Sequence, residues 1–238
     1  MGMEMGIGMH NIYNIEGYIF DLDGVVVDTA KYHYLAWKRL AAEFGYNFTP
    51  EDNEQFKGVS RIACMELLSQ MARIILTEEE KIKLADRKNE WYIDYIKGMK
   101  RDEVLPGFVE FILEIRRSGG RTALASASKN AALVLERLEL RQYFDIFVDG
   151  NDIQKSKPDP QVFLKAAGKL GIQPDKCLVF EDAQAGIDAA KSAGMLAVGI
   201  SEPDKLLIGS DILKPGFEGL TLSRLLEELS YNLSARSC

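Results

Sequence analysis

Residues 17–29 read GYIFDLDGVVVDT, and this stretch decides the fold. The short apolar run 17–20 ends in two carboxylates, Asp21 and Asp23, and Gly24 follows them directly. On a parallel strand, both carboxylates would reach the pocket beyond the carboxyl end of the sheet, where open α/β sheets bind ligands. Such a pair can attack an electrophile, move protons or hold a hard cation through oxygen. A strand that runs into a turn rich in Asp and Gly is the other interpretation of an isolated D-x-D-G.

Length and composition narrow the class of protein. The chain has 238 residues, of which 47% are hydrophobic and 27% are charged, as is typical of a globular protein with one large or two unequal domains. Its 29 basic and 36 acidic residues give a net charge of −7, with no basic run that could track nucleic acid. No apolar run approaches the roughly 20 residues of a transmembrane helix. An anion site in this chain must therefore be a local cationic pocket.

The amino terminus and the cysteines indicate the compartment. Residues 1–14 are rich in Met and Gly but lack the basic and apolar regions of a signal peptide, so we expect a flexible leader. Cys64, Cys177 and Cys238 are odd in number and lack metal-binding spacing. We expect buried or incidental thiols in a reducing cytoplasm.

Strands and helices alternate after residue 106. Short apolar runs predict strands at 122–125, 146–148, 177–180 and 196–200. Helical spacing of apolar residues predicts helices at 108–115, 133–138, 163–170, 183–192 and 222–229. This order predicts βαβ units and therefore an α/β, doubly wound, Rossmann-like core with a parallel sheet.

Residues 30–105 break this alternation, because their apolar residues recur only at helical spacing. The predicted inward faces are Trp37, Leu40, Ala41 and Phe44, then Ile62, Met65 and Leu68, then Ile82, Ala85, Ile93 and Ile96. Thr77 and Glu80 predict a capping box for the last of these helices. We predict a discontinuous catalytic core at 1–29 and 106–238, and an all-helical cap domain at 30–105 with hinges near 29–31 and 101–106.

Four polar motifs follow four different predicted strands. They are Asp21 with Asp23, Ser126, Lys157 on the loop after the third strand, and Glu181 with Asp182. Taken singly each motif is weak, because a Ser after a strand is commonly a helix cap and a Lys-Pro is commonly solvated. In type and order, however, the four resemble the haloacid dehalogenase-like family of phosphotransferases across nearly the whole chain.

The residue types suit phosphoryl transfer, which needs an in-line nucleophile and compensation of charge on the phosphoryl oxygens. Asp21 is the predicted nucleophile, which would form an aspartyl phosphate, and Asp23 is the predicted general acid–base. Ser126 would hold phosphoryl oxygens. Lys157 would keep Asp21 ionised and pair with the phosphoryl group.

Mg²⁺ is the predicted cofactor. Its predicted oxygen site combines Asp21, the main-chain carbonyl of Asp23, and Asp182 assisted by Glu181. The metal would offset the repulsion between a carboxylate nucleophile and an anionic substrate.

Motifs of the predicted cap resemble the sugar-phosphate mutases of the same family. The matching segments are 29–33 with Trp37, 56–61, 87–89 and, in the core, 125–130. The resemblance implies a clamp for the phosphate that is not transferred, made of Arg61, Ser128, Lys129 and Asn130. It implies helpers at the cap–core interface and a sugar pocket, drawn from Thr29, His33, Trp37, Lys57, Gly58, Val59, Lys88 and Ala127.

Several of these residues have an ordinary structural alternative. The structural alternative is a satisfied polar group for His33, a core residue for Trp37 and part of a solvated helix face for Lys88. The phosphate-binding interpretation is stronger for Arg61, because residues 57–61 form a compact turn into a helix. There a helix amino terminus and two cations can meet an anion. We assign Asp28 to turn structure alone.

The resemblance implies a Mg²⁺-dependent intramolecular phosphotransferase. It would interconvert β-D-glucose 1-phosphate and glucose 6-phosphate through phospho-Asp21 and β-glucose 1,6-bisphosphate. The alternatives are a sugar-phosphate phosphatase of the same family and a regulatory sugar-phosphate-binding protein on a decayed scaffold, which the four intact motifs disfavour. The expected partners are small-molecule sugar phosphates, with no nucleic acid and no membrane, and the chain is expected to be monomeric.

Overall fold

A parallel sheet of six strands lies at the centre of the computed structural model, which describes residues 14–56, 59–202 and 206–236. The strands are β1 (Gly17–Phe20), β2 (Arg121–Ala125), β3 (Ile146–Val148), β4 (Cys177–Glu181), β5 (Leu196–Ile200) and β6 (Ile212–Lys214). Their order is β3-β2-β1-β4-β5-β6, and every neighbouring pair is parallel. The chain order reverses beside β1, which creates a crevice at the carboxyl ends of β1, β2 and β4. The predicted doubly wound α/β fold is confirmed.

Nine helices accompany the sheet in the described part of the chain. They are α1 (Ala30–Glu43), α2 (Pro50–Glu54), α3 (Arg61–Met71), α4 (Glu78–Ile96), α5 (Phe108–Arg117), α6 (Ala131–Arg137), α7 (Gln161–Leu170), α8 (Gln184–Ser192) and α9 (Leu222–Arg236). Across the described ranges, no helix has the length and apolar character needed to cross a bilayer.

Aromatic packing makes the base of the crevice rigid. Phe20 of β1 stacks on Phe180 of β4 with ring centroids 4.5 Å apart, and Phe108 of α5 meets Phe20 edge to face at 5.4 Å. Such pairs contribute about 0.5–1.5 kcal/mol each beyond their burial. Asp21 directly follows Phe20, and Glu181 directly follows Phe180. The packing of the two rings therefore fixes the backbone that carries both carboxylates.

Helices α1 to α4 have a hydrophobic cluster of their own. It contains Trp37, Leu40, Ala41, Phe48, Phe56, Cys64, Met65, Leu68 and Ala85. The predicted capping box of α4 is confirmed, because Glu80 N–H donates to Thr77 Oγ1 at 3.3 Å and Thr77 N–H donates to Glu80 Oε2 at 2.8 Å. The sequence analysis missed α2, which follows a second capping box.

Two apolar residues of the predicted inward faces point outward instead. Ile62 is 40% exposed and Ile82 is 50% exposed. The buried stripe of α4 runs through Ala85, Lys88, Tyr92 and Ile96, so a cation takes an inward position that the apolar pattern did not include. This placement also removes the alternative of Lys88 as part of a solvated face.

The two connections to the helical segment lie side by side. Val27 and Val104 form an antiparallel bridge, and Leu105 N–H donates to the Val26 carbonyl at 2.9 Å. Tyr32 at the start of α1 donates its hydroxyl to Glu103 Oε2 at 2.6 Å. The two chain connections of the helical segment therefore lie together above the end of β1. Its division from the core as a separate domain stays a prediction.

Candidate active site

The loop after β1 presents Asp21 to the crevice. Asp21 is only 6% exposed, and its N–H donates to the Phe180 carbonyl at 3.0 Å. Asp23 N–H donates to Asp21 Oδ2 at 2.9 Å, which orients the carboxylate. The chain then turns at Gly24, which has φ +79°, and a Cβ there would lie 2.1 Å from Asp182 Oδ2. Glycine is thus required where the loop and the Asp182 carboxylate approach each other.

Lys157 lies between Asp21, which follows β1, and Glu181, which ends β4. Its Nζ lies 2.5 Å from Asp21 Oδ1 and also donates to Glu181. Burial opposes the charge of Lys157, but these two carboxylates outweigh it and hold the Lys157 pKa above its usual value. Lys157 is therefore a fixed buried cation beside the candidate nucleophile.

The crevice holds more negative than positive charge. Burial raises the pKa of Asp21 well above its usual range, and Glu181, Asp23 and Asp182 add to this against the opposing Lys157. Burial also raises the pKa of Asp23, although the Thr29 hydroxyl, which donates to Asp23 Oδ1, opposes it. This excess of buried carboxylate favours a second cation or a shared proton.

The donor atoms fit a hard cation. Glu181 accepts from Lys157 through Oε1 and from Ala183 N–H through Oε2 at 3.0 Å, so both oxygens are in use. Glu181 thus holds Lys157 in place, and its predicted role beside Asp182 at a metal stays a prediction. The Asp182 carboxylate lies beside the loop at Gly24, and its charge acts on Asp21, so the crevice offers carboxylate oxygens of the kind that Mg²⁺ prefers. Over the described ranges, no group of three or more His, Cys, Asp or Glu side chains encloses a metal on its own.

The loop after β2 is rigid. Ser126 Oγ accepts from Ser128 N–H at 3.1 Å, and Ser128 Oγ accepts from Asn130 N–H at 3.2 Å. A Cβ at Gly150 would lie 2.3 Å from the Ala127 carbonyl oxygen, so the loop after β3 packs directly against it. Ser126, Ala127, Ser128, Lys129 and Asn130 are thus held in one turn that leads into α6. The structure brings together this predicted part of the phosphate site.

A cationic cluster lies on the helical side. Lys88 is 2% exposed, its Nζ lies 2.8 Å from His33 Nδ1, and it sits over the Trp37 ring at 4.6 Å. Burial lowers the pKa of Lys88 to about 7, with nearby Arg61 lowering it and Cys64 and Asp23 opposing the shift. Burial, Lys88 and Arg61 likewise hold the pKa of His33 well below its usual range. Three basic groups crowded in this way form a site that an anion would stabilise.

Arg61 is the first residue of α3. Ser60 caps that helix, accepting from Ala63 N–H at 3.3 Å, and Arg61 Nη1 pairs with Asp86 Oδ1 at 3.3 Å. Val59 beside it is 38% exposed, whereas Lys57 and Gly58 lie outside the described residues. Arg61 thus pairs with an exposed carboxylate that a bound phosphate would have to replace.

The remaining predicted residues have clear structural positions. Trp37 is 2% exposed and meets Phe56 edge to face, so it is a core residue that also supports Lys88 from below. Thr29 is fully buried against Asp23. Asp28 accepts from Ala30 N–H at 2.9 Å, which confirms its turn role.

Two residues beside the site carried no assigned role in the sequence analysis. Tyr92 stacks on His33 with ring centroids 4.1 Å apart. Asn89 accepts from Asn130 Nδ2 at 2.8 Å. Tyr92 could have been found from the sequence, because it follows Lys88 by one helical turn and so lies on the same helix face. Asn89 could not, because its role depends on a contact between segments that are distant in the sequence.

Comparisons with known proteins show what the chain and its fold are similar to. Residues 15–194 match the family model for haloacid dehalogenase-like hydrolases. The chain is 41% identical to a β-phosphoglucomutase of Bacillus subtilis over 88% of the chain and 93% of that relative. It is 31% identical to a phosphorylated carbohydrates phosphatase of Thermotoga maritima over 76% of the chain and 82% of that relative. The crystal structure of a β-phosphoglucomutase from Clostridium difficile superposes with a TM-score of 0.86 and 34% identity, covering 92% of this chain and 99% of that one.

Proposed function

This chain belongs to the haloacid dehalogenase-like hydrolase family of enzymes, and from that premise we propose that it is a β-phosphoglucomutase. It would interconvert β-D-glucose 1-phosphate and glucose 6-phosphate through β-glucose 1,6-bisphosphate. The observation that carries the proposal is the pair of separate basic positions, Lys157 at the nucleophile and the cluster of Lys88, His33 and Arg61 on the helical side. A mutase needs two phosphate positions, because its bisphosphate intermediate is held at both ends.

Asp21 would attack phosphorus, and the phosphoryl group would move from the sugar oxygen to Asp21 Oδ. Asp23 would give its proton to the leaving sugar oxygen and later take one from the attacking hydroxyl. The raised pKa of Asp23 favours the protonated form that the first step needs. Lys157 and Ser126 would hold the phosphoryl oxygens as charge develops on them.

Mg²⁺ is the metal that this donor set suits, with Asp21, Asp182 and the Asp23 carbonyl as the residues that would hold it. When bound, it supplies charge compensation between the anionic nucleophile and the phosphoryl oxygens. Gly24 keeps this position open, because any side chain there would strike Asp182. We expect Asp182→Ala to raise the Mg²⁺ concentration needed for half-maximal activity, and EDTA to abolish turnover.

The second phosphate would lie between the helical segment and the loop after β2. Arg61 offers a bidentate fork, and Lys129 with the turn at Ser128 offers further donors. A bound anion would favour the protonated, positively charged forms of Lys88 and His33.

The buried, free thiols of Cys64 and Cys177 fit a reducing cytoplasm, where we place the protein.

A sugar-phosphate phosphatase is the second candidate, and a specific similarity supports it. The Thermotoga maritima relative, named a phosphorylated carbohydrates phosphatase, is 31% identical over 76% of this chain, so a phosphatase is also found among related sequences. The two functions differ in whether phospho-Asp21 gives its phosphoryl group to a sugar hydroxyl or to water.

A product assay distinguishes the two functions. β-Glucose 1-phosphate is supplied with a trace of β-glucose 1,6-bisphosphate, and glucose 6-phosphate and inorganic phosphate are both measured. We expect glucose 6-phosphate with little inorganic phosphate. Inorganic phosphate that rises in step with substrate loss would instead establish the phosphatase.

Arg61→Ala tests the second phosphate position. Because charged hydrogen bonds are worth about 1.5–3 kcal/mol, the variant should form glucose 6-phosphate roughly 10- to 100-fold more slowly. Hydrolysis of acetyl phosphate, which carries one phosphoryl group, should stay within about threefold of the parent. Lys83→Ala removes an exposed charge from the same segment and is the matched control. An equal loss in both reactions would contradict a separate distal site.

A further inference from the structure

A side-chain hydrogen bond joins the helical segment to the loop after β2. Asn130 Nδ2 donates to Asn89 Oδ1 at 2.8 Å, across 41 residues of sequence. Asn89 follows Lys88 on α4, and Asn130 follows Lys129 at the start of α6. The bond therefore ties together the two elements between which the second phosphate is proposed to bind.

The core side of this bond is fixed. Asn130 N–H is bound by Ser128 Oγ at 3.2 Å, and Gly150 N–H donates to the Ser128 carbonyl at 3.1 Å. Asn151 Nδ2 donates to the Lys129 carbonyl at 3.1 Å. These contacts use the backbone of the loop and leave the Asn130 amide directed at α4, so the bond positions α4 relative to a rigid loop.

The helical side carries residues that depend on this position. Lys88 is adjacent to Asn89, and Tyr92 one turn later is fully buried in the same cluster as Val25, Val26 and Val27 of the loop after β1. A shift of α4 away from Asn130 would draw Lys88 and Tyr92 away from the crevice together. Water would then reach the phosphoryl group on Asp21.

We propose that Asn89 is a positioning residue that holds α4 closed over the loop after β2 and so favours sugar over water as the phosphoryl acceptor. This rests on the proposed mutase function. In both outcomes the bond between Asp21 Oδ and phosphorus breaks, a new bond forms from phosphorus to the acceptor oxygen, and the acceptor proton passes to Asp23. Only the acceptor differs. A neutral amide pair suits this role, because it is weak enough to open and close in each turnover.

Asn89→Ala tests the proposal, with Asn47→Ala as control because Asn47 is an exposed asparagine of the same segment. The ratio of inorganic phosphate to glucose 6-phosphate should rise about fivefold in Asn89→Ala, the change that corresponds to about 1 kcal/mol for one neutral hydrogen bond. Asn47→Ala should keep the parent ratio. A purely structural role would lower the melting temperature without changing the ratio, and that result would overturn the proposal.

Asn130→Ala shows whether the two amides act as a pair. Asn89→Ala added to Asn130→Ala should change the ratio no further, because the bond is already lost. Additive effects would show that Asn89 acts through something other than Asn130 and would overturn the assignment.

Solution scattering separates this inference from the proposed function. A compact chain of this length has a radius of gyration of about 18 Å, and an opened helical segment enlarges it. If the parent releases only inorganic phosphate, the mutase function fails, and the scattering comparison still decides the role of Asn89. A larger radius for Asn89→Ala than for Asn47→Ala supports closure by this bond; equal radii refute it.

Discussion

Replacing Lys88 by Met tests the cationic cluster through stability rather than activity. Lys88 is buried beside His33 and Arg61, with Cys64, Trp37 and Tyr92 around it and Asp23 nearby. Burial lowers its pKa from 10.5 to about 7. Between these two pH values the unfolded chain binds a proton at this position and the folded chain does not, so stability must rise with pH.

The size of the effect follows from the two pKa values. Each pKa unit corresponds to 1.36 kcal/mol, so the lowered pKa of Lys88 costs about 4 kcal/mol of stability at pH 7 and about 2 kcal/mol at pH 9. The parent should therefore gain about 2 kcal/mol from this group between pH 7 and pH 9. Methionine has similar length and no charge, so Lys88→Met should be at least as stable as the parent at pH 7 and should lose this gain.

Urea denaturation at pH 7, 8 and 9 measures the difference. Lys83→Met is the control, because Lys83 is an exposed lysine of the same helix. The free energy of unfolding of the control should follow the parent with pH, and that of Lys88→Met should be flatter. Parallel curves for parent and Lys88→Met would refute a lowered Lys88 pKa. Although Lys88→Met should be stable, it should bind sugar phosphates more weakly, because it lacks the amino group that a bound phosphate would keep protonated.

Three further substitutions test the chemistry at the crevice. Asp21→Asn should lose turnover by several orders of magnitude and form no phosphoenzyme from radiolabelled acetyl phosphate; turnover near the parent level would exclude covalent catalysis by Asp21. Asp23→Ala should keep its Mg²⁺ dependence, because the proposed ligand there is a carbonyl, yet lose the ~10²–10⁴-fold typical of general acid–base catalysis; loss of metal binding instead would reverse the assignment. Gly24→Ala should raise the Mg²⁺ requirement about tenfold or more, because its Cβ would lie 2.1 Å from Asp182 Oδ2; an unchanged requirement would argue against Asp182 as a ligand.

The sheet could be predicted because each central strand is a short apolar run bounded by helices. The predicted bounds of β1 and β5 are the same as those in the structure, Gly17–Phe20 and Leu196–Ile200. Strand β6 was missed, because a three-residue edge strand, Ile212–Lys214, has too few residues to show a pattern. Helix α2 was also missed although Thr49, Pro50 and Asp52 supply a capping box, since its five residues carry no apolar stripe.

The candidate site also contains residues that could be predicted from the sequence and contacts that could not. Motifs at strand ends were predictable, because parallel strands bring their carboxyl ends to one edge whatever the rest of the chain does. The contact of Lys88 with His33 and of Asn89 with Asn130 depends on how α4 lies over the sheet, which no local pattern records. The use of both Glu181 oxygens by Lys157 and Ala183 likewise appears only once the loops after β3 and β4 are placed together.

The pairing of Val27 with Val104 has a consequence for how such a chain can diversify. Because the two ends of the intervening 76 residues, 28–103, are already neighbours, that segment can be exchanged for one that covers the same core residues without stretching β1 or shifting α5. Evolution can therefore change the part in which we propose that the sugar binds while the strands that carry the proposed nucleophile stay as they are. An engineered chimera that borrows residues 28–103 from a relative would inherit that relative's choice of substrate and keep this chain's phosphorus chemistry.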